Sequence, residues 1–227
     1  MKSDIRQKFV VGNWKMYTTA AEARRLAKAI VEGVGREDRV SVAVCPPFPY
    51  LALVGEMLKG SRVALGAQNL YPEKEGAFTG EVSPTMLLDL GCTYVILGHS
   101  ERRHLLGESD AFINQKVRVT LAAGLDVILC IGETLGQRET DQTDAVLDRQ
   151  LVQGLAGLSA ETVTRLSIAY EPSGPSAVTD TTPPLSKLRS RTASFGAASG
   201  RCSGSHRLRR LPSCTAAASS RRTPPRC

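Results

Sequence analysis

Along residues 8–172 the apolar positions follow two alternating patterns: short continuous runs of β-prone residues, and longer stretches with apolar residues at helical spacing. The runs Lys8–Gly12, Val40–Cys45, Val63–Ala67, Tyr94–Leu97, Asp126–Cys130 and Leu166–Tyr170 predict six strands. Between them, helices are predicted over Thr18–Val34, opened by Thr18 and Thr19 as candidate caps, and over Pro49–Lys59 and Pro84–Leu90. Two more are predicted over Asn114–Ala123 and Thr143–Leu155. The proline opening the third of these helices sits where its missing N–H does no harm. Near-continuous apolar strands linked by helical crossovers mean a parallel sheet covered by helices, either a barrel or a doubly wound sheet. Periodicity alone does not choose between them.

The polar residues do, because they gather just after the strands. Asn13 and Lys15 follow the first, Gln68 and Asn69 the third, Gly98-His99-Ser100-Glu101 the fourth, Gly132-Glu133 the fifth and Glu171 the sixth. In a barrel these ends face one rim, so an amine, an imidazole and a carboxylate from different strands converge. Each residue also has a plainer reading. Lys15 is either a solvated charge or a fixed cation facing an anionic substrate. His99 is either a structural histidine or an acid or electrophile, and the helix start that follows it would favour the neutral ring. Glu171, ahead of Pro172, is either a turn or salt-bridge residue or a general base. Glu101 and Lys15 are free to pair with each other, and Cys130 reads as a small core residue.

Composition changes abruptly at Pro172. The chain has 227 residues, with 29 Lys+Arg against 22 Asp+Glu; residues 173–227 hold ten of the basic residues and only one acidic residue, Asp180. The net charge of +7 therefore belongs to this tail, in which 43 of 55 positions are Ser, Ala, Arg, Thr, Pro or Gly. Two regions follow: a globular domain at 1–172, short for a complete barrel of about 250 residues, and a low-complexity tail at 173–227 expected to be disordered. No run approaches the roughly 18 apolar residues of a membrane span, and no signal peptide or metal-ligand cysteine spacing is evident. A reduced, cytoplasmic protein is the expectation. Arg207, Arg209, Arg210, Arg221 and Arg222 suggest a nucleic-acid arm. With Phe195 as the tail's one aromatic, stacking surface is scarce, and no specific nucleic-acid partner is expected.

Five strings in order are far more specific than these single residues: Val11-Gly12-Asn13-Trp14-Lys15-Met16, Gly76-Ala77-Phe78-Thr79-Gly80-Glu81, Tyr94 through Arg103, Cys130-Ile131-Gly132-Glu133 and Ala169-Tyr170-Glu171-Pro172. With them residues 8–172 resemble the triosephosphate isomerases, and no further resemblance is read past Pro172. The resemblance implies a (β/α)8 barrel fold, here with six of the eight units, and a glycolytic and gluconeogenic isomerase. Glu171 would be the base moving a proton between C1 and C2 of a triose phosphate, and His99 the neutral electrophile, which is the family's known division of roles. Lys15 would neutralise substrate charge and Asn13 would help hold the oxygens, with Ser100, Glu101 and Cys130 in support. No metal or cofactor is implied. The loop after the third strand docks into a neighbouring subunit in this family, which would put Phe78, Thr79, Gly80 and Glu81 in a homodimer interface. Open strand edges would add a second route to self-association.

Family members continue after Glu-Pro with a Val-Trp-Ala-Ile-Gly lid and then with Tyr-Gly-Gly-Ser and a Gly-Gly turn for the phosphate; these strings are missing here. Back-translated and regrouped by one base, Ser173–Ala177 can spell Val-Trp-Ala-Ile-Gly, and Thr215–Ser219 can spell Tyr-Gly-Gly-Ser-Val. The tail is therefore read as a frameshift after Pro172, and turnover by this chain is expected to be strongly reduced or lost. A catalytically inactive, self-associating remnant and a basic module binding nucleic acid nonspecifically are the competing expectations.

Overall fold

The computed structural model describes residues 8–172. The tail, with its expected disorder and its lid and phosphate-loop counterparts, lies outside the described residues. Strand β1 spans Lys8–Asn13 and is followed by α1, Ala20–Val34. This helix starts after the expected Thr18 because Thr18 sits at φ 80°, outside the helical region. Thr19 caps it instead, in a reciprocal capping box with Glu22. Then come β2, Val40–Cys45, a 3-10 turn at Phe48–Tyr50, α2 at Leu51–Leu58 and β3 at Val63–Ala67. Helix α3, Pro84–Asp89, is capped by Ser83 and leads into β4, Tyr94–Leu97.

Helix α4, Ser100–His104, begins at the helix start expected after His99, while two further short helices go beyond the sequence reading: α6, Leu135–Glu139, and α8, Ala160–Val163. Helix α5, Asp110–Ala122, begins four residues before the expected Asn114, because the Ser109 hydroxyl accepts from Phe112 N–H and fixes the start there. Strand β5 is Asp126–Ile131, α7 is Thr143–Gly154 and β6 is Leu166–Tyr170.

All six strands are parallel and pair in sequence order, β1-β2-β3-β4-β5-β6. The order never reverses, so the sheet has no switch point and its crossovers stack on one face. Side chains alternate across it with period two. Val44, Leu65, Val95, Leu97, Val127, Leu129 and Leu166 point outward, into a core shared with Ala23, Ala27, Val54, Leu87, Ile113, Val117, Leu147 and Leu151 of the helices. Phe9, Val11, Ala43, Cys45, Ile96, Ile128, Cys130 and Ala169 form a second, inner core. The Phe9 and Tyr94 ring centroids are 4.9 Å apart. In a flat sheet three strand spacings of about 4.8 Å would separate them by about 14 Å. The sheet therefore curls on itself, which selects the barrel over the open, doubly wound alternative. Among the described residues β1 pairs only with β2, and β6 only with β5. Val10 on the outer face of β1 is 38% exposed.

Candidate active site

The curl brings the C-terminal ends of β1, β4 and β6 to one rim, and the sequence-predicted polar residues meet there. Lys15 has a φ of 53°, a left-handed conformation that a side chain disfavours. Two hydrogen bonds hold it: Asn13 Oδ1 accepts from Lys15 N–H at 3.0 Å, and Gln68 Nε2 donates to the Lys15 carbonyl at 2.9 Å. Gln68 also donates to the Cys45 carbonyl at 2.8 Å, so one amide ties the ends of β1, β2 and β3 together. The Lys15 ammonium then reaches Glu101 Oε1 at 2.8 Å. Partial burial works against its charge, but the Glu101 hydrogen bond and the nearby Glu101 and Glu171 carboxylates outweigh that and hold its pKa above the ordinary lysine value.

His99 follows β4 and caps α4. Its Nδ1 accepts from Glu101 N–H at 3.2 Å. A backbone amide can only donate, so Nδ1 carries a lone pair and the ring proton sits on Nε2. That Nε2 lies 3.0 Å from Glu171 Oε2, a donor facing an acceptor. His99 is almost fully buried, whereas Glu171 is about one third open to solvent. The hydrogen bond from His99 is the main reason the Glu171 pKa lies below the ordinary value of 4.5; burial opposes the shift and the Lys15 charge adds to it. Glu101 lies between Lys15 and His99, with Oε2 also 3.4 Å from His99 Nδ1. The rim thus presents a carboxylate, an imidazole N–H donor and an ammonium, each following a different strand.

The supporting residues are held by a buried frame. Gly98, at φ 69°, has no room for a Cβ, which would lie 2.8 Å from Arg103 Nη2 and 3.0 Å from the Cys130 carbonyl. Arg103 donates to the carbonyls of Gly98 and Cys130 at 2.6 and 3.2 Å and pairs with Asp110. Ser100 begins α4 beside His99, and Cys130 lies in the inner core. Glu133 does not face the rim: it is fully buried, accepting from Arg138 Nε at 2.8 Å, Tyr170 OH at 2.9 Å and Thr143 Oγ1 at 3.2 Å. Burial, with the Glu133 hydrogen bond, pushes the Tyr170 hydroxyl up to about 12. Asn69 likewise turns inward, to Lys116 Nζ at 2.9 Å.

Phe78, Thr79, Gly80 and Glu81 form an exposed loop after β3, folded by the Phe78 N–H to Gly76 carbonyl and Glu81 N–H to Phe78 carbonyl bonds. Tyr71 and Phe78 stack at 4.5 Å between centroids. Among the described residues no group of three or more His, Cys, Asp or Glu is placed to hold a metal ion, and no helix is long and apolar enough to cross a membrane. Gln68, Arg103 and Arg138 carry site geometry that the sequence reading did not assign. Gln68 left a trace there as a polar residue at a strand end, and Arg103 as the last residue of the fourth-strand string.

A curled parallel β/α sheet with a carboxylate, an imidazole and an ammonium at its C-terminal rim defines the TIM-barrel class. The family profile of triosephosphate isomerase matches residues 8–183. The chain is 54% identical over 168 residues to the triosephosphate isomerase of Carboxydothermus hydrogenoformans, covering 74% of this chain and 67% of that protein. It is 52% identical to that of Symbiobacterium thermophilum and 51% identical to that of Syntrophotalea carbinolica, at 74% of this chain and 66% and 67% of those proteins. The chain belongs to the triosephosphate isomerase family, whose named members are isomerases, and it spans about two thirds of the length of these relatives. The profile match ends at Pro183, which carries the likeness past the Pro172 boundary drawn from the sequence.

Proposed function

We propose that the rim of this chain interconverts dihydroxyacetone phosphate and glyceraldehyde 3-phosphate by proton transfer through an enediolate. The observation that carries the reading is the 3.0 Å approach of His99 Nε2 to Glu171 Oε2, with the ring proton on Nε2. An ionised carboxylate takes a proton from C1 while the C1–H electron pair moves into a C1–C2 double bond and the C2 carbonyl gains charge. The Nε2–H donor stabilises that oxygen; the C1 hydroxyl proton passes to the C2 oxygen, the electron pair of the C1–C2 double bond takes the proton that Glu171 returns to C2, and the C1 oxygen closes the aldehyde carbonyl. The substrate must enter between these groups, so the His99–Glu171 hydrogen bond of the free protein is exchanged for one to the substrate. Lys15 meets the substrate's negative charge, and Asn13 contributes by fixing the Lys15 backbone.

Turnover is proposed to be weak. The lid and phosphate strings of the family are missing from the sequence. Binding energy from a remote phosphate is used at the reacting carbons, so losing roughly 4 to 8 kcal/mol lowers kcat/KM by about 10³ to 10⁶. Homodimers formed through the Phe78–Glu81 loop and a cytoplasmic location complete the proposal. The inactive-remnant reading draws support from β1 and β6, each paired on one side only among the described residues. A coupled assay of glyceraldehyde 3-phosphate turnover, run beside an identically purified Glu171→Gln chain, tests the proposal. Activity lost in the variant supports it, and equal negligible rates sink it in favour of the remnant.

A further inference from the structure

The amide of Gln150 lies on the buried face of α7, between Val146, Leu147 and Leu151, and nothing in the proposed chemistry uses it. Both of its ends go to a single glycine. Gly132 N–H donates to Gln150 Oε1 at 2.8 Å, and Gln150 Nε2 donates to the Gly132 carbonyl at 3.1 Å. The peptide unit joining Ile131 to Gly132 is therefore gripped from one side. On its other side the same unit accepts the backbone N–H of Glu171, at the Ile131 carbonyl, at 2.9 Å. One peptide plane thus stands between a side-chain amide of α7 and the main chain of Glu171.

Steric contact tightens the link. A Cβ on Gly132 would lie 2.0 Å from the Glu171 carbonyl oxygen, 2.6 Å from its carbon and 3.1 Å from Pro172 N. The turn after β5 and the chain at Glu171 are in contact with no space for a methyl group, so a tilt of the first displaces the second. A second connection runs through the next residue. The Gly132 carbonyl fixed by Gln150 belongs to the peptide unit that carries Glu133, whose carboxylate accepts from the hydroxyl of Tyr170, the neighbour of Glu171. A buried amide that spends its donor and its acceptor on one glycine costs helix α7 an apolar position, and that cost is recovered only if the glycine's orientation matters.

We infer that Gln150 is a positioning residue for Glu171, acting through Gly132: its bond to Gly132 N–H fixes the peptide plane that anchors the base at the rim, and its bond to the Gly132 carbonyl fixes the next plane, which carries Glu133. The inference rests on the proposed role of Glu171 and deepens it. Its effect should be one of aim, because a displacement of about 1 Å in a reacting group costs on the order of 10²-fold in rate.

The test compares Gln150→Met, which keeps length and loses both hydrogen bonds, with Ile113→Val or Ile113→Ala, whichever matches its loss in Tm. Ile113 is a fully buried residue of the outer core with no part in the rim. Two readouts are taken on the full chain. The first is the kcat and KM of glyceraldehyde 3-phosphate turnover. The second is the carbon-13 titration of the Glu171 carboxylate, which faces His99 and Lys15, with Glu101 beyond them. The expected result is a kcat lowered about tenfold to a hundredfold with KM little changed, and a Glu171 titration moved upward as its hydrogen bond to His99 loosens. The Ile113 control should show neither. Titration and kcat indistinguishable from the control overturn the inference. Should wild type show no Glu171-dependent turnover, the isomerase reading fails separately and the titration alone decides, in the same two directions. Should Gln150→Met fail to fold, Gln150→Leu, which likewise loses both hydrogen bonds, is read by the same criteria.

Discussion

His99 and Glu171 are joined by a 3.0 Å hydrogen bond from Nε2 to Oε2, between residues that follow β4 and β6, two strands apart in the sheet. The direction of that bond is fixed at the far side of the ring, where the Glu101 amide leaves Nδ1 no proton to carry. The pair therefore places an anionic carboxylate against a neutral donor, which makes their pH behaviour specific. Because Glu171 has a folded pKa below 4.5, its contribution to stability is fully present above that value and is lost as pH falls through the lower folded value. The contribution of Glu171 to the acid limb of kcat/KM, which reports the free protein, should likewise lie below pH 4.5. His99→Leu should move the carbon-13 titration of Glu171 upward. A titration unchanged in the variant would show that the ring does not set the carboxylate's charge.

Gly132→Ala tests the contact between the β5 turn and the base. The added methyl would fall 2.0 Å from the Glu171 carbonyl oxygen, and backbone must shift to admit it. Destabilisation of about 1–3 kcal/mol or more is expected from such overpacking, measured by urea unfolding, together with loss of turnover. A change within about 0.5 kcal/mol, as at an ordinary surface site, would contradict the geometry.

The buried cation of α5 offers a test away from the rim. Lys116 is 1% exposed and donates to Glu108 Oε1 at 2.5 Å and to Asn69 at 2.9 Å, while its ammonium sits 4.5 Å from the Phe112 ring centroid. Burial pulls its pKa below the ordinary lysine value, and Glu108 only partly offsets this. Lys116→Met leaves the buried Glu108 carboxylate with Arg102 as its remaining cation, at 2.7 Å, and should cost about 1–3 kcal/mol for the hydrogen bonds lost at Glu108 and Asn69. Adding Glu108→Leu should recover much of that loss. A double variant no more stable than the single one would mean that the pair is not coupled.

Lys15 behaves in the opposite way. Its side chain is substantially exposed and its pairing with Glu101 is a surface ion pair, worth about 0–1 kcal/mol. Lys15→Met should leave the unfolding midpoint nearly unchanged and remove turnover, because what the left-handed backbone at φ 53° secures is the aim of a charge. A large loss of stability would reassign Lys15 to the fold.

The strands were legible because they are apolar on both faces: Val40–Cys45, Val63–Ala67, Tyr94–Leu97 and Leu166–Tyr170 have the bounds their runs suggest. Helices α6 and α8 were not, since four or five residues are too few to show a period and their signal lies in the caps, Thr134 with Gln137 and Ser159 with Thr162. At the site, Lys15, His99 and Glu171 stood out as polar residues closing apolar strands. What could not be read was who holds them. Gln68 fixes Lys15 across 53 residues of sequence and Lys116 reaches Asn69 across 47, distances over which no local pattern survives. Gln150 and Lys116 lie on otherwise apolar helix faces, and their partners appear only when the sheet curls.

Proton abstraction by Glu171 is the central claim, and hydrogen exchange at carbon reads it without requiring complete turnover. Dihydroxyacetone phosphate is incubated in D2O with the full chain and with the Glu171→Gln chain purified in the same way, and deuterium at C1 is followed by proton NMR. The account predicts deuterium incorporation by the wild-type chain and none above background by the variant. Equal incorporation by both, or none by either, would contradict it.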